Sequence, residues 1–105
     1  MKGYLILEFT IVNLPEFMEY VEKIPAYLQK HKGKYLVEGV TPEVIEGDWS
    51  PGTIVVLEFD SEDNANQFLS DPEVKELFKI RHKNTKSNLI LVNGGSWRDE
   101  VNQNA

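Results

Sequence analysis

The sequence predicts an α+β fold in which one β-α-β unit occurs twice. Two near copies, Ile6-Leu7-Glu8-Phe9 and Val56-Leu57-Glu58-Phe59, alternate like strands, and each is followed by apolar residues at helical spacing. The order β-α-β-β-α-β is typical of a ferredoxin-like fold, a four-stranded antiparallel sheet with helices on one face. The 105 residues suffice for one core. We expect a single domain over 1–95 and a polar, flexible tail over 96–105.

The first half of the chain begins with a strand and a helix. The alternation over 3–12 predicts a strand that is apolar on both faces except for Glu8. Asn13 is a good N-cap, and apolar residues then recur at helical spacing toward a stop at Gly33. Pro25 lacks the N–H that would reach the carbonyl of Val21, so we expect a kink or a break into two short helices.

The second strand is expected to be interrupted. It begins at 35–37, bends or bulges at Gly39 and Pro42, and resumes extended pairing over 43–46. Residues 47–52 are dense in turn formers and lead into the third strand, which holds the second copy of the repeat.

The second half of the chain predicts two helical segments and a last strand. Ser61 can cap the first segment, and the pair Asp71-Pro72 can restart a helix. An apolar run over 88–92 predicts the fourth strand.

Composition narrows the classes of partner. Acidic residues outnumber basic ones 17 to 11, for a net charge of −6, which argues against nucleic acid and anionic membranes as partners. The absence of cysteine fits a cytoplasmic protein, and no apolar run is long enough for a membrane span or a secretory signal. Phosphate-loop, serine-elbow and nucleotide motifs are absent, so we expect no cofactor. The two histidines, His31 and His82, lack the spacing of metal ligands, so we expect no metal site. Each is expected at the C-terminal end of a helix, where a cation complements the helix dipole.

One face of the predicted sheet has no helix to cover it. Two helices cover a single face, and the faces with Leu5 and Leu57 are the natural ones to lie beneath them. The opposite face then presents Tyr4, Ile6 and Val56, an apolar area of roughly 300 Å² in projection. We therefore expect a homodimer whose sheets face each other, a dimeric α/β barrel with a cavity between the two sheets if they do not close completely.

Glu8 and Glu58 would both point from that uncovered face. If the registers match, the two side chains start about 5 Å apart, and their repulsion would raise one pKa so that the pair shares a proton. Otherwise the pair would accept a cationic partner such as Arg81 or a lysine, or hold a bound cation. Two interpretations stay open. The carboxylates are either catalytic candidates or sheet residues paired with an arginine, for which Arg81 is the candidate.

Further side chains are candidates for ligand contacts. Trp49 lies in the loop before the third strand and either caps a pocket or packs over the sheet end, whereas Asn88 could orient a ligand. Tyrosines are candidates for lining an aromatic-binding cavity or for bordering the core. The full set of tyrosines is Tyr4, Tyr20, Tyr27 and Tyr35. Candidate ligand-binding residues are Tyr4, Ile6, Val56, Trp49, Arg81 and Asn88.

Six segments spread over 1–95 resemble domain-of-unknown-function family 1330. They are Lys2-Gly3-Tyr4, Glu19-Tyr20 with Pro25, Gly33-Lys34-Tyr35-Leu36-Val37, Glu46-Gly47-Asp48-Trp49-Ser50-Pro51, Val55-Val56-Leu57-Glu58-Phe59 and Asn88 to Gly94. That family is similar to the dimeric α/β-barrel superfamily, which implies ferredoxin-like subunits paired sheet to sheet. It lacks an assigned reaction. The family usually has arginine where Glu38 stands, so the resemblance implies a more negative pocket in this chain.

Two functions are compatible with the sequence. The first is a small cytoplasmic homodimer that binds a small organic molecule in a cavity by the sheet, with cofactor-independent acid/base chemistry by Glu8 or Glu58. Its fold-level analogues oxygenate or isomerise aromatic and lactone compounds. The alternative is a non-catalytic binding or interaction module in which the acidic pair merely fixes the dimer.

Overall fold

The structure is a computed structural model that describes residues 1–99, so the expectations for the end of the tail lie outside the described residues. Its elements are β1 (Gly3–Ile11), α1 (Leu14–Lys30), β2 (Gly33–Val40), β3 (Thr53–Phe59), α2 (Glu62–Ser70), α3 (Pro72–Asn84) and β4 (Thr85–Asn93). The predicted α+β fold is confirmed. No helix among these residues is long and apolar enough to cross a membrane.

The four strands form one antiparallel sheet in the order β2-β3-β1-β4. The two copies of the repeat are therefore neighbours at its centre, as predicted, with Ile6 paired to Val56. The face with Leu5 and Leu57 is buried, whereas Ile6 and Val56 on the other face remain partly exposed. The ferredoxin-like architecture is thus confirmed, with the core between the sheet and the helices.

β2 ends earlier than predicted, because its edge is distorted by two bulges. Register shifts occur between Tyr35 and Val37 and again between Glu38 and Val40, and the predicted bulge residue Gly39 has a φ of 75°. The expected resumption of pairing over 43–46 is wrong. Residues 41–52 instead form a loop, because Pro42 has no N–H to donate and the second bulge turns the chain away from β3.

The helices begin where capping chemistry predicts. Asn13 and Ser61 accept hydrogen bonds from backbone N–H groups three residues on, at 3.2 and 3.1 Å, and Asp71 separates α2 from α3. The helix α1 is not broken at Pro25. Burial of Ile24 and Leu28 against the sheet holds the residues around the proline in place despite the missing hydrogen bond.

A buried carboxylate joins the end of α1 to the start of α3. Asp71, 8% exposed, accepts hydrogen bonds from Lys30 Nζ at 2.9 Å and from the Glu73 backbone N–H at 3.0 Å, and its Oδ2 lies 2.8 Å from His31 Nε2. His31 also ends α1, as predicted. The hydrogen bonds from His31, then Lys30, hold the pKa of Asp71 well below its ordinary value.

We expect Asp71→Asn to lower stability at neutral pH, and the deficit to shrink in acid. Because the folded-state pKa of Asp71 lies below the unfolded value of about 3.9, its contribution is present above that pH and is lost as the pH falls through the folded pKa. Urea denaturation at several pH values from neutral to about 3 measures the difference between variant and wild type. Glu76→Gln, which alters only an exposed pair with Lys79, is the control. A deficit that stays constant with pH would contradict the assignment.

Candidate functional site

A cleft of about 280 Å³ opens between α1 and the sheet. It lies on the helix side, and its walls are mostly apolar. The strands contribute Leu7, Phe9, Val55 and Leu57, and α1 contributes Met18 and Val21 among others. The volume lies just below the roughly 300–1,000 Å³ range of small-molecule sites.

The cleft exists because β2 leaves the sheet early. Beyond Val40, which pairs with Ile54, the edge strand does not continue alongside Thr53, so the first two turns of α1 overhang an incomplete edge. Leu14 and Met18 consequently line the cleft while remaining 53% and 39% exposed. The mouth is therefore at the β2 edge, and the inner end is under α1.

Four polar side chains line this otherwise apolar space: Tyr20, Tyr35, Glu38 and Thr53. Burial, with further contributions from Tyr20 and Glu38, raises the pKa of Tyr35 to about 12. Burial also raises the pKa of Tyr20, although the nearby Arg81 opposes that shift. Both tyrosines are therefore neutral phenols at physiological pH, suited to donating hydrogen bonds rather than abstracting protons.

Arg81 lies in the core and not on the surface. Its side chain is 2% exposed, and its guanidinium carbon lies 4.6 Å from the Phe78 ring centroid and 5.8 Å from that of Tyr20. One nitrogen donates to Ser87 Oγ at 2.7 Å. The predicted pairing of Arg81 with the acidic face is wrong, because the guanidinium lies on the helix side of the sheet. His82, beside it in the last turn of α3, faces outward, as predicted for a helix end.

The face opposite the helices, hereafter the open face, carries Glu8 at one end. Its carboxylate accepts hydrogen bonds from the Gly52 backbone N–H at 2.7 Å and from Asn88 Nδ2 at 2.9 Å. The bond from Gly52, then that from Asn88, lowers the pKa of Glu8. Glu8 is thus an ionised anchor for the end of the 41–52 loop, and its pKa is not raised by a neighbouring glutamate as predicted for one of the pair.

Glu58 lies at the other end of the open face. Its carboxylate is 3.5 Å from Lys34 Nζ and 3.9 Å from Lys2 Nζ. Burial, followed by the charge of Glu58, raises the pKa of Tyr4 on the adjacent strand. The cationic partners of Glu58 are therefore lysines.

The predicted pairing of Glu8 with Glu58 is wrong. Glu8 pairs with Ile54 and Glu58 with Tyr4, so the two glutamates are four residues apart along the strands, about 13 Å. Neither carboxylate perturbs the other at that distance through water.

The six candidate ligand-binding residues do not converge on the cleft. Tyr4, Ile6, Val56 and Asn88 lie on the open face, Trp49 is 64% exposed in the 41–52 loop, and Arg81 is buried behind Tyr20. None of the six lines the cleft. Asn88 lies within β4, which begins at Thr85, and does not open it.

Sequence reasoning identified the site only in part. Of the four tyrosines, Tyr20 and Tyr35 line the cleft. Glu38 also lines it, although the more negative pocket implied by the resemblance was the one expected beside Glu8 and Glu58, which do not line the cleft. The burial of Arg81 could have been predicted from the sequence. Arg81 follows Val74 and Leu77 at helical spacing, which places it on the buried side of α3.

Metal chemistry has no structural support in the part of the chain that is described. Over 1–99, no group of three or more His, Cys, Asp or Glu side chains comes close enough to hold a metal ion.

Comparison with known proteins identifies a family and a fold. Residues 2–95 match the family described as "Domain of unknown function (DUF1330)". No curated protein matches the chain. One similar solved structure is a protein of unknown function from Rhodopseudomonas palustris, which is 15% identical in sequence. The superposition covers 90% of this chain and 83% of that protein, with a TM-score of 0.71.

Two further solved structures share the architecture. SnoaB, a cofactor-independent oxygenase from Streptomyces nogalater, is 14% identical over 90% of this chain and 94% of its own, with a TM-score of 0.61. A dimeric protein of unknown function with a ferredoxin-like fold, from Bacteroides fragilis, is 16% identical over 89% and 96%, with a TM-score of 0.53. At such identities the likeness shows the fold alone.

Proposed function

Because the chain belongs to the DUF1330 family, whose description assigns no activity, we propose a function from its geometry: it binds a small apolar organic molecule in the cleft between α1 and the sheet. The single observation that carries the proposal is the cleft itself, an apolar cavity of about 280 Å³ with a buried and a partly buried phenol in its wall. Apolar concavities with a few convergent polar groups are typical of small-molecule sites.

Acid/base chemistry by the predicted glutamates finds less support than binding. Glu8 and Glu58 belong to the open face and do not line the cleft. A chemical step in the cleft would have to use Tyr20, Tyr35 or Glu38, of which only Glu38 carries a carboxylate. SnoaB is a cofactor-independent oxygenase with the same fold, but its low identity to this chain carries no reaction over.

We further propose that the protein is a cytoplasmic homodimer whose open faces pack together. In the isolated chain Ile90 and Val92 of β4 are 55% and 41% exposed on that face, and Val40 of β2 is 54% exposed. A contiguous apolar sheet face is typical of an interaction surface. The dimeric protein from Bacteroides fragilis shows that a chain of this fold assembles in pairs.

A variant that fills the cleft tests the binding function. Val55 lines the cleft from β3, and Val55→Phe places a ring in the space that the ligand would occupy. We expect the fluorescence titration of N-phenyl-1-naphthylamine, a neutral apolar dye, to saturate with the wild type. We expect its affinity for the variant to fall at least about tenfold.

The matched control is Val44→Phe, in the 41–52 loop and away from the cleft, which should bind the dye like the wild type. Equal binding by all three proteins would place the dye elsewhere and contradict the proposal. Absence of saturable binding to the wild type would contradict it as well.

A further inference from the structure

Arg81 is a cation in the core without a carboxylate partner among the described residues. None of the ion pairs within 1–99 involves it. Its Nη1 donates a hydrogen bond to Ser87 Oγ. Its buried Nε has no hydrogen-bond acceptor in the described part of the chain. The phenyl ring of Phe78 supplies a cation–π contact at 4.6 Å.

Such an arrangement is costly for folding alone. Removing a cation from water is unfavourable unless an anion and hydrogen bonds compensate, and an apolar side chain of the same length would fill the space without that cost. A buried donor with no partner therefore calls for an explanation in terms of function.

Tyr20 links this cation to the cleft. Its ring lines the cleft and also lies 5.8 Å from the guanidinium carbon of Arg81. The register of the sheet also places Arg81 close to the cleft. Ser87, which accepts a hydrogen bond from Arg81, pairs with Phe9, and Phe9 lines the cleft. The cation therefore lies behind the inner end of the cleft, one ring away from its wall.

The opposite end of the cleft carries the opposite charge. Glu38, an exposed residue of β2, contributes the carboxylate at the mouth. An elongated ligand with one anionic end therefore binds most favourably in the orientation that points this end inward, toward Tyr20 and Arg81. A second anionic group at its outer end would be repelled by Glu38.

We propose that the cleft selects apolar compounds that carry a single oxyanion, such as an aromatic carboxylate, with the Tyr20 hydroxyl donating to the anion and Arg81 stabilising its charge. The inference rests on the proposed binding function and names the class of ligand for the same site. Charge-assisted recognition in a place from which water is largely excluded accounts for the burial of an otherwise unpaired arginine.

Competition against the neutral dye N-phenyl-1-naphthylamine tests the proposal. The competitors are 2-naphthoate and 2-naphthamide, which share one ring system and differ in charge. We expect the wild type to bind the carboxylate about tenfold more tightly than the amide. Arg81→Met should reduce that ratio to about one, because it removes the charge that favours the carboxylate.

Two further variants keep the test decisive if Arg81→Met does not fold, as judged by circular dichroism. Arg81→Lys retains the charge and should keep most of the preference for the carboxylate, whereas Tyr20→Phe removes the proposed donor and should reduce it. Lys83→Met, which removes an exposed cation from the same helix, controls for net charge and should match the wild type.

The outcomes separate the two proposals. If the dye binds and the wild type does not distinguish carboxylate from amide, the anion preference is wrong and the binding cleft stands. A preference that survives in Arg81→Met, or that survives undiminished in Tyr20→Phe when Arg81→Met is unfolded, also overturns it. Failure of the dye to bind the wild type at all contradicts the binding function itself.

Discussion

Replacing Val56 with aspartate is expected to convert the proposed dimer into monomers. Val56 lies near the centre of the open face, between β1 and β2. In a sheet-to-sheet dimer the substitution brings two carboxylates into a buried apolar interface, where their desolvation is unfavourable. We expect the dissociation constant of the dimer to rise at least about a hundredfold.

Sedimentation equilibrium measures this directly, since the dimer has twice the 12.1 kDa mass of the chain. The control is Val12→Asp, because Val12 is 67% exposed in the turn between β1 and α1 and lies off the open face. A wild type that is monomeric at tens of micromolar would refute the dimer. A Val56→Asp protein that stays dimeric would place the interface elsewhere.

The largest effect on stability is expected from Phe59→Ala. Phe59 is fully buried, and its ring lies 5.3 Å from that of Phe68, so truncation leaves a cavity that the well-packed neighbours cannot fill. We expect a loss of about 3–5 kcal/mol in the free energy of unfolding. That is a large part of the roughly 5–15 kcal/mol typical of a domain.

Urea denaturation at one fixed protein concentration gives the difference, because the concentration would otherwise shift the stability of an oligomer. Trp97→Ala, at a side chain 69% exposed, is the aromatic control and should change stability by less than about 0.5 kcal/mol. Similar losses for the two variants would argue against the core position of Phe59.

The fold could be predicted because its signals are local. Strand alternation, the caps at Asn13 and Ser61, and the restart at Asp71 each depend on residues within a few positions of one another. Even the bulge at Gly39 was predictable, since a glycine in an edge strand is a common site of one.

The site could not be predicted to the same degree, because it depends on distant segments. The cleft requires β2 to leave the sheet early, and the resulting gap lies under α1, a helix that precedes β2 in the chain. The neighbours of Arg81 come from α1, α3 and β4. Helical spacing alone predicts that Arg81 faces inward, but not that it lies behind Tyr20.

The pairing of Ile6 with Val56 has a consequence for the symmetry of the sheet. These are equivalent residues of the two repeats, so a local pseudo-twofold axis passes between them. Antiparallel neighbours run in opposite directions, and every other pair of equivalent residues is therefore displaced equally to either side of that axis. Glu8 and Glu58 accordingly occupy opposite ends of the open face, one held by neutral donors and the other by lysines. Only a glutamate on the axis itself could meet its equivalent in the other repeat, so the repeat places these two carboxylates in separate surroundings.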